Sequence, residues 1–195
     1  MKHGLAVACA LLALTACQPA PQAPVFQSTD ITGAGFARDF KLTDHNGQPR
    51  TLASFKGKVV AVFFGYTHCP DVCPTTLSDF AAALKQLGPL DDKVQVLFVT
   101  VDPQRDTPGL LKLFVPAFDP RFLGMYADPS SLAATAKEYK LVYQKTSVKD
   151  ADHYLIDHSA GTYVYDTKGR LRLLVPYGSS PDLIANDLKT LLGST

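Results

Sequence analysis

The chain has 195 residues, of which 46% are hydrophobic, and a formal net charge of +1. Its length suits one domain with a substantial core, and its composition argues against disorder. The near balance of charges leaves no basic field that could hold nucleic acid or anionic lipid, so we expect no nucleic-acid partner.

The N-terminus has the pattern of an export signal followed by a lipid-attachment site. Lys2 precedes the apolar run 5–14, which has the length of a signal-peptide hydrophobic region and is too short to cross a bilayer. The run ends in Leu-Thr-Ala-Cys at 14–17, which resembles a bacterial lipobox. We therefore predict a signal peptide over 1–16 and lipidation of Cys17; the alternative is an ordinary cleaved signal in which Cys17 has no role.

A proline-rich tether is predicted between the lipid anchor and the folded domain. Three prolines in residues 18–24 favour a stiff, extended segment. We assign 17–35 to the anchor and tether, and 36–195 to a single domain.

The predicted elements of this domain alternate between strands and helices. The Asn46-Gly47 turn signal predicts a hairpin over 38–52. Continuous apolar runs at 59–65 and 94–101 predict strands that are buried on both faces. The other predicted elements are helices over 74–87, 106–118, 129–139 (capped at Ser130 or Ser131) and 181–192, and strands over 122–126, 162–166 and 171–175. This order predicts an α/β architecture, in which residues 141–160 fit least well and are interpreted as an insertion.

The cysteine count restricts the chemistry of the domain. Of four cysteines, Cys9 lies in the predicted signal and Cys17 at the predicted lipidation site. Only Cys69 and Cys73 remain, and one pair in an exported protein is no disulfide framework. The pair is therefore a bridge, a redox couple or part of a metal site.

The local sequence around the pair, residues 66–74 (YTHCPDVCP), favours reactive thiols. It follows a predicted buried strand and opens a predicted helix, whose free N–H groups and dipole lower the pKa of a thiol. Four residues along a helix return both sulfurs to nearly the same direction. Two such thiolates suit Cu(I) or Zn(II), and the same geometry permits a disulfide, so the spacing does not decide. It does disfavour a dedicated thioredoxin-type oxidoreductase, which uses Cys-x-x-Cys.

Three segments together resemble one known family. They are residues 65–76 (GYTHCPDVCPTT), 101–108 (VDPQRDTP) and 154–159 (YLIDHS), the last followed by Tyr163. In type, order and interval they resemble the Sco/SenC family of thioredoxin-fold, copper-binding proteins that assist assembly of cytochrome c oxidase. The resemblance covers about 36–192 and implies a thioredoxin-like α/β fold. A central mixed β-sheet would be flanked by helices, with an N-terminal hairpin and the insertion near 141–160.

The same resemblance implies which residues bind metal. Carried over to this chain, Cys69, Cys73 and His158 would bind one copper ion, and two thiolates with an imidazole suit three-coordinate Cu(I). Asp71 and Asp157 also match family positions. Asp157 is interpreted as a group that orients or tunes these ligands, and Asp71 as one that adjusts the charge of the thiolates or faces a partner. A supporting role is predicted for three residues of the second segment, which would hold a loop beside the site by an ion pair and a helix cap: Asp102, Arg105 and Asp106. His68 is interpreted as exposed or as a spare ligand. His45 and His153 are interpreted as surface residues.

The sequence and the family resemblance are compatible with two functions. The first is a metallochaperone that delivers copper to the oxidase; its partners would be the oxidase subunit with a copper centre and another periplasmic copper chaperone. The second is a periplasmic thiol–disulfide reductase acting on oxidase cysteines, so whether the chain is an enzyme stays open. Zinc is the alternative metal. The oxidase partner favours lipid anchoring to the inner membrane on its periplasmic side, whereas the absence of an acidic residue after Cys17 favours the outer membrane.

Overall fold

The computed structural model describes residues 24–146, 150 and 153–193, so the predicted signal peptide and Cys17 lie outside the described residues. None of the helices in these ranges has the length and apolar character needed to cross a bilayer. The α-helices are α1 (Val72–Leu87), α2 (Pro108–Phe114), α3 (Pro129–Glu138) and α4 (Pro181–Gly193). The strands are β1 (Thr29–Asp30), β2 (Leu42–Asp44), β3 (Pro49–Arg50), β4 (Val59–Gly65), β5 (Val94–Thr100), β6 (Leu123–Tyr126), β7 (Tyr143–Thr146), β8 (Leu155–His158), β9 (Thr162–Tyr165) and β10 (Leu171–Val175).

Eight of these strands form one mixed sheet, in the order β1-β10-β9-β4-β5-β6-β2-β3. Strand β5 is parallel to both β4 and β6, whereas β9 runs antiparallel to β4. Every residue of β4 and β5 is buried, as the continuous apolar runs predict for strands covered on both faces. The predicted central mixed sheet flanked by helices is confirmed.

The predicted N-terminal hairpin is also confirmed. Strands β2 and β3 pair in antiparallel register, and Gly47 between them has a φ of +81°, which glycine adopts at little cost. The buried Asp44 carboxylate stabilises the turn by accepting hydrogen bonds from the backbone N–H groups of Asn46 and Gln48. Because β2 also pairs with β6, the hairpin forms one edge of the sheet.

Two helix ends differ from the prediction. The cap of α3 is Asp128, whose carboxylate accepts from the N–H groups of Ser130 and Ser131 at 2.9 and 3.1 Å, so the serines donate rather than cap. Helix α2 ends at Phe114, and the chain continues as a 3₁₀ turn over Val115–Ala117 that contains Pro116. Proline has no N–H group to continue an α-helix, which explains the early end.

The packed part of the chain begins before the predicted boundary at residue 36. Strand β1 pairs with β10, and the N–H groups of Gln27 and Ser28 each donate to the carboxylate of Asp187 at 2.8 Å. Asp187 lies in α4 and is buried. A charged acceptor 159 residues away along the chain therefore holds the start of the domain, and local patterning at residues 27–30 could not indicate it.

The interpretation of His45 as a surface residue is wrong. Its side chain is buried, and its Nδ1 accepts a hydrogen bond from the N–H of Gly124 at 3.0 Å. Burial lowers the pKa of His45 below its ordinary value of 6.5. The neutral imidazole therefore forms part of the contact between the β2 end and β6.

We expect this histidine to make the fold less stable in mild acid. Because its pKa is lower in the folded than in the unfolded state, its contribution is complete above pH 6.5 and is lost as the pH falls through the folded pKa. The free energy of unfolding, measured in urea from pH 7.5 to 5, should decrease more steeply for the natural protein than for His45→Asn. The asparagine amide oxygen can accept from Gly124 without titrating. Equal slopes for the two proteins would contradict the prediction.

Candidate metal centre

The two cysteines lie where β4 gives way to α1. Cys69 is in the connecting loop and is partly buried, whereas Cys73 is in the first turn of α1 and is fully buried. A Cβ atom on Gly65, the last residue of β4, would lie 2.8 Å from Cys73 Sγ and 2.8 Å from Cε2 of Phe98. The absence of a side chain at Gly65 therefore leaves the space that the Cys73 sulfur occupies.

The surroundings of the two sulfurs give them different protonation. A hydrogen bond from the Cys73 thiol, together with His158 and the N–H groups of Asp71 and Cys73, lowers the pKa of Cys69 to about 4. The same hydrogen bond and full burial raise the pKa of Cys73. In the metal-free, reduced protein at neutral pH, Cys69 is a thiolate and Cys73 a thiol. One thiol of the pair is therefore activated, mainly by its neighbour Cys73, while the N–H groups of Asp71 and Cys73 at the start of α1 contribute less.

The predicted insertion places His158 at this pair. Strands β7 and β8 form a separate two-stranded antiparallel sheet, in which Tyr143 is opposite His158. His158 is the last residue of β8, and its Nε2 lies 3.7 Å from Cys73 Sγ. The two sulfurs and an imidazole nitrogen all lie within 4.8 Å of one another. Of the described residues, these three are brought together as a cluster that could hold a metal ion.

The orientation of the imidazole suits metal binding. His158 Nδ1 lies 3.1 Å from the backbone oxygen of Ser159. Because a carbonyl oxygen only accepts, Nδ1 donates this hydrogen bond, and Nε2 is the ring nitrogen that faces the sulfurs and could bind a metal ion. The donor set is thus two sulfurs and one imidazole nitrogen, which suits a soft ion such as Cu(I), or Zn(II).

An open cleft gives access to this cluster. It has a volume of about 310 Å³ and is lined by Cys69, His158, Pro70 and Leu155, among others. A metal ion at the cluster would therefore have protein ligands on one side and space for a fourth ligand on the other.

Asp71 and Asp157 line the same cleft, and both are exposed. Their carboxylates accept hydrogen bonds from Thr75 Oγ1 at 3.3 Å and Thr146 Oγ1 at 3.4 Å, respectively. The part of Asp71 that affects a proposed ligand is its backbone N–H, which contributes to the lowered pKa of Cys69, and not its carboxylate. That these carboxylates orient or tune the ligands stays a prediction.

The loop after β5 holds the cysteine loop, as the 101–108 signature predicts. Asp106 is buried and accepts hydrogen bonds from the N–H of Thr67 at 3.0 Å and from its Oγ1 at 2.6 Å. The hydroxyl of Thr100 donates to the same carboxylate at 2.6 Å. Asp106 is therefore a support of the cysteine loop rather than a ligand.

The remaining residues of this signature behave mostly as expected. Asp102 and Arg105 form the predicted ion pair, with Arg105 Nε at 2.5 Å from Asp102 Oδ2. The helix cap, however, is Thr107, whose Oγ1 accepts from the N–H of Leu110, and not Asp106. The cap position was therefore predicted one residue too early.

Two tyrosines of the site were missed at the level of sequence. The Tyr66 oxygen accepts from the N–H of Ile156 at 3.2 Å, and the Tyr154 hydroxyl donates to Asp102 at 2.7 Å. Both are inside the signature segments 65–76 and 154–159, but an aromatic residue beside a buried strand usually indicates only core packing.

Of the other histidines, His68 and His153 are exposed as expected. His68 Nδ1 lies beside Thr67 Oγ1, and His153 pairs with Asp150.

The fold and the site together define an α/β protein with a mixed sheet, in which a cysteine pair at the end of a central strand meets a histidine from an inserted hairpin. The model of the family described as SCO1/SenC matches residues 28–193, and the chain belongs to this family. This confirms the family and the thioredoxin-like fold that the three signature segments imply.

Known relatives agree with this assignment. The chain is 40% identical over 134 residues to the mitochondrial SCO2 homolog of Mus musculus, and this match covers 67% of this chain and 52% of that protein. It is 34% identical over 152 residues to the SCO2-like protein of Rickettsia felis, covering 77% and 74%. The chain thus spans about half the length of the mouse relative. The structure of Bradyrhizobium japonicum ScoI with copper bound is 42% identical, with a TM-score of 0.73, and covers 79% of this chain and 98% of that one.

Proposed function

We propose that this chain binds one copper ion through Cys69, Cys73 and His158 and delivers it to the copper centre of cytochrome c oxidase. The observation that carries the proposal is the convergence of two sulfurs and an imidazole nitrogen within 4.8 Å at the end of a central strand. The copper-bound state of a relative with 42% identity supports copper rather than zinc as the metal.

The protonation of the site favours Cu(I) as the cargo. Thiolate sulfur is a soft ligand, and Cys69 is already a thiolate near neutral pH because its pKa is lowered to about 4. Copper would replace the proton of Cys73, so binding releases a proton. The filled d shell of Cu(I) tolerates coordination by three ligands, which leaves the open side for an incoming ligand.

The exposure of the ligands supports transfer by ligand exchange. Cys73 is fully buried, whereas Cys69 and His158 are each partly accessible. A partner's ligand could thus replace His158 or Cys69 first, while Cys73 holds the ion until the partner's site is complete. The partner would be the oxidase subunit with a copper centre, and a second periplasmic chaperone would supply the copper. Lipidation of Cys17 would hold the domain at the periplasmic face of the inner membrane.

A transfer assay tests this function. The purified protein should take up one Cu(I) per chain and pass it to the copper-free oxidase subunit domain, whose visible absorption after oxidation with ferricyanide reports filling of its centre. His158→Ala should weaken Cu(I) binding, because it removes one of three ligands. The matched control is His153→Ala, which removes an exposed histidine that pairs with Asp150 and should leave binding unchanged. Equal Cu(I) affinity of His158→Ala and the natural protein would contradict the proposed site.

The same protein set tests the second candidate, a thiol–disulfide reductase. The lowered pKa of Cys69 beside the buried thiol of Cys73 favours it. In that reaction the Cys69 thiolate attacks a target disulfide, Cys73 then closes the Cys69–Cys73 disulfide, and the target leaves with two thiols. This exchange needs both cysteines but not the imidazole. Reduction of an oxidised subunit domain at an undiminished rate by His158→Ala, without copper transfer by any protein in the set, would favour the reductase.

A further inference from the structure

We infer that Tyr66 is a positioning residue, whose hydroxyl holds His158 against the two cysteines. The inference rests on the proposed copper site and names the group that keeps its third ligand in place. Tyr66 directly follows β4, three residues before Cys69, and its side chain is buried. It therefore belongs to the cysteine loop, while the group that it binds belongs to the histidine hairpin.

The contact between the two parts is a buried hydrogen bond. The N–H of Ile156 donates to the Tyr66 oxygen at 3.2 Å, between residues 90 positions apart in the chain. Ile156 precedes His158 by two residues in β8 and is itself buried. The Tyr66 ring also meets the His158 ring edge-on, with centroids 6.1 Å apart and an interplanar angle of 86°. Tyr66 thus contacts both the strand that carries the histidine and the imidazole itself.

A second contact holds the same strand from the loop after β5. The Arg105 guanidinium lies 3.5 Å from the centre of the Tyr154 ring and 5.8 Å from that of Tyr66, and it donates to the Tyr154 backbone oxygen at 3.1 Å. The Tyr154 hydroxyl in turn donates to Asp102 at 2.7 Å. Tyr154 and Ile156 are therefore both tied to the body of the domain just before His158.

The hairpin needs such ties because it is not part of the main sheet. Strands β7 and β8 pair only with each other among the described strands. A two-stranded hairpin by itself is at best marginally stable in water. Its position relative to the cysteines thus depends on side-chain contacts, and a small displacement would move Nε2 away from its place 3.7 Å from Cys73 Sγ.

The hydroxyl is the specific requirement, because phenylalanine would keep the ring but not the acceptor. In Tyr66→Phe the N–H of Ile156 would lose its partner in a buried place, which is unfavourable unless the strand shifts toward water. Copper affinity should then fall about 10-fold, as is common when a group that supports a metal ligand is removed. Hydrogen exchange at the Ile156 amide of the metal-free protein should become faster.

A double-mutant cycle tests the inference. Cu(I) affinity is measured for the natural protein, Tyr66→Phe, His158→Ala and the double variant. If Tyr66 acts through His158, Tyr66→Phe should lower the Cu(I) affinity of the natural protein. In the His158→Ala background the same substitution should change the affinity less than about twofold. The matched control is Tyr163→Phe, which removes a buried hydroxyl that donates to the Tyr139 backbone oxygen at 2.8 Å and should leave copper affinity unchanged.

The possible results separate this inference from the proposed function. Equal affinity of the natural protein and His158→Ala would overturn the copper site, while hydrogen exchange at Ile156 would still report whether Tyr66 holds the hairpin. Weaker binding by His158→Ala but not by Tyr66→Phe would overturn the inference alone. An equal loss from Tyr66→Phe in both backgrounds would show a general structural role and also overturn it. If Tyr66→Phe does not fold, Tyr66→Leu, which also removes the acceptor for the Ile156 N–H, replaces it in the same cycle.

Discussion

Cys73→Ser should weaken Cu(I) binding more than the loss of any residue that merely supports the site. Losing a supporting group costs roughly 10- to 100-fold in metal affinity, and the loss of this thiolate should exceed that range. A serine hydroxyl stays protonated at neutral pH and is a hard ligand, so the soft ion loses one of two sulfurs. Cys73 is also the fully buried member of the pair, which leaves little room for water to replace it. Competition with a chromogenic Cu(I) chelator measures the effect.

Controls distinguish lost ligation from lost folding. Cys73→Ala should weaken copper binding as strongly as Cys73→Ser, although alanine introduces no polar group into the core. Unfolding of the metal-free variants should differ, because a hydroxyl without a good partner costs about 1–3 kcal/mol when buried. Cys69→Ser should also bind copper weakly, and both serine variants should bind more weakly than His158→Ala. A Cys73→Ser protein that folds normally and keeps natural Cu(I) affinity would contradict the ligand set.

Gly65→Ala should damage both the stability of the fold and the metal centre. The new Cβ would lie 2.8 Å from Cys73 Sγ and 2.8 Å from the Phe98 ring, and both neighbours are buried. Real Cβ atoms do not approach other atoms this closely, so the end of β4 or the start of α1 must move. Such overpacking typically costs about 1–3 kcal/mol of the free energy of unfolding. Because the displaced atom is a proposed copper ligand, copper affinity should fall as well.

The experiment for Gly65 compares five proteins by urea unfolding and Cu(I) competition: the natural protein, Gly65→Ala, Gly109→Ala, Cys73→Ala and the Gly65→Ala/Cys73→Ala double variant. Gly109→Ala is the matched control, since its Cβ would meet its nearest neighbour at 3.9 Å, an ordinary contact distance. It should keep both its stability and its copper affinity. In a Cys73→Ala background the cost of Gly65→Ala should become smaller, because the sulfur clash is gone and the contacts with Phe98 at 2.8 Å and Phe63 at 3.2 Å remain. Natural stability of Gly65→Ala would contradict the steric account.

Features that depend on neighbouring residues in the chain could be predicted from the sequence. The continuous, β-branched apolar runs of β4 and β5 favour strands that are buried on both faces. The Asn46-Gly47 turn determines its hairpin through the φ of Gly47. Cys69 and Cys73 are only four residues apart, so the short loop that leads into α1 suffices to bring their sulfurs together, although Cys69 itself precedes the helix.

Features that depend on distant residues needed the tertiary structure or the family resemblance. The burial of His45 against Gly124, and the carboxylate of Asp187 that holds Gln27 and Ser28, join parts of the chain that no local pattern relates. The cap of α3 was missed for a different reason: aspartate and serine are both good caps, and only backbone geometry selects Asp128.

The same distinction between local and distant residues applies to the candidate metal centre. By itself, the sequence determined the buried strands, the hairpin turn and a pair of converging thiols, because each follows from residue spacing within one or two turns of chain. It could not place His158, which is 85 residues from Cys73, except through likeness to a family. Only the tertiary structure decided that the imidazole faces the sulfurs, since this depends on the register of a separate hairpin and on the hydrogen bond between Tyr66 and Ile156.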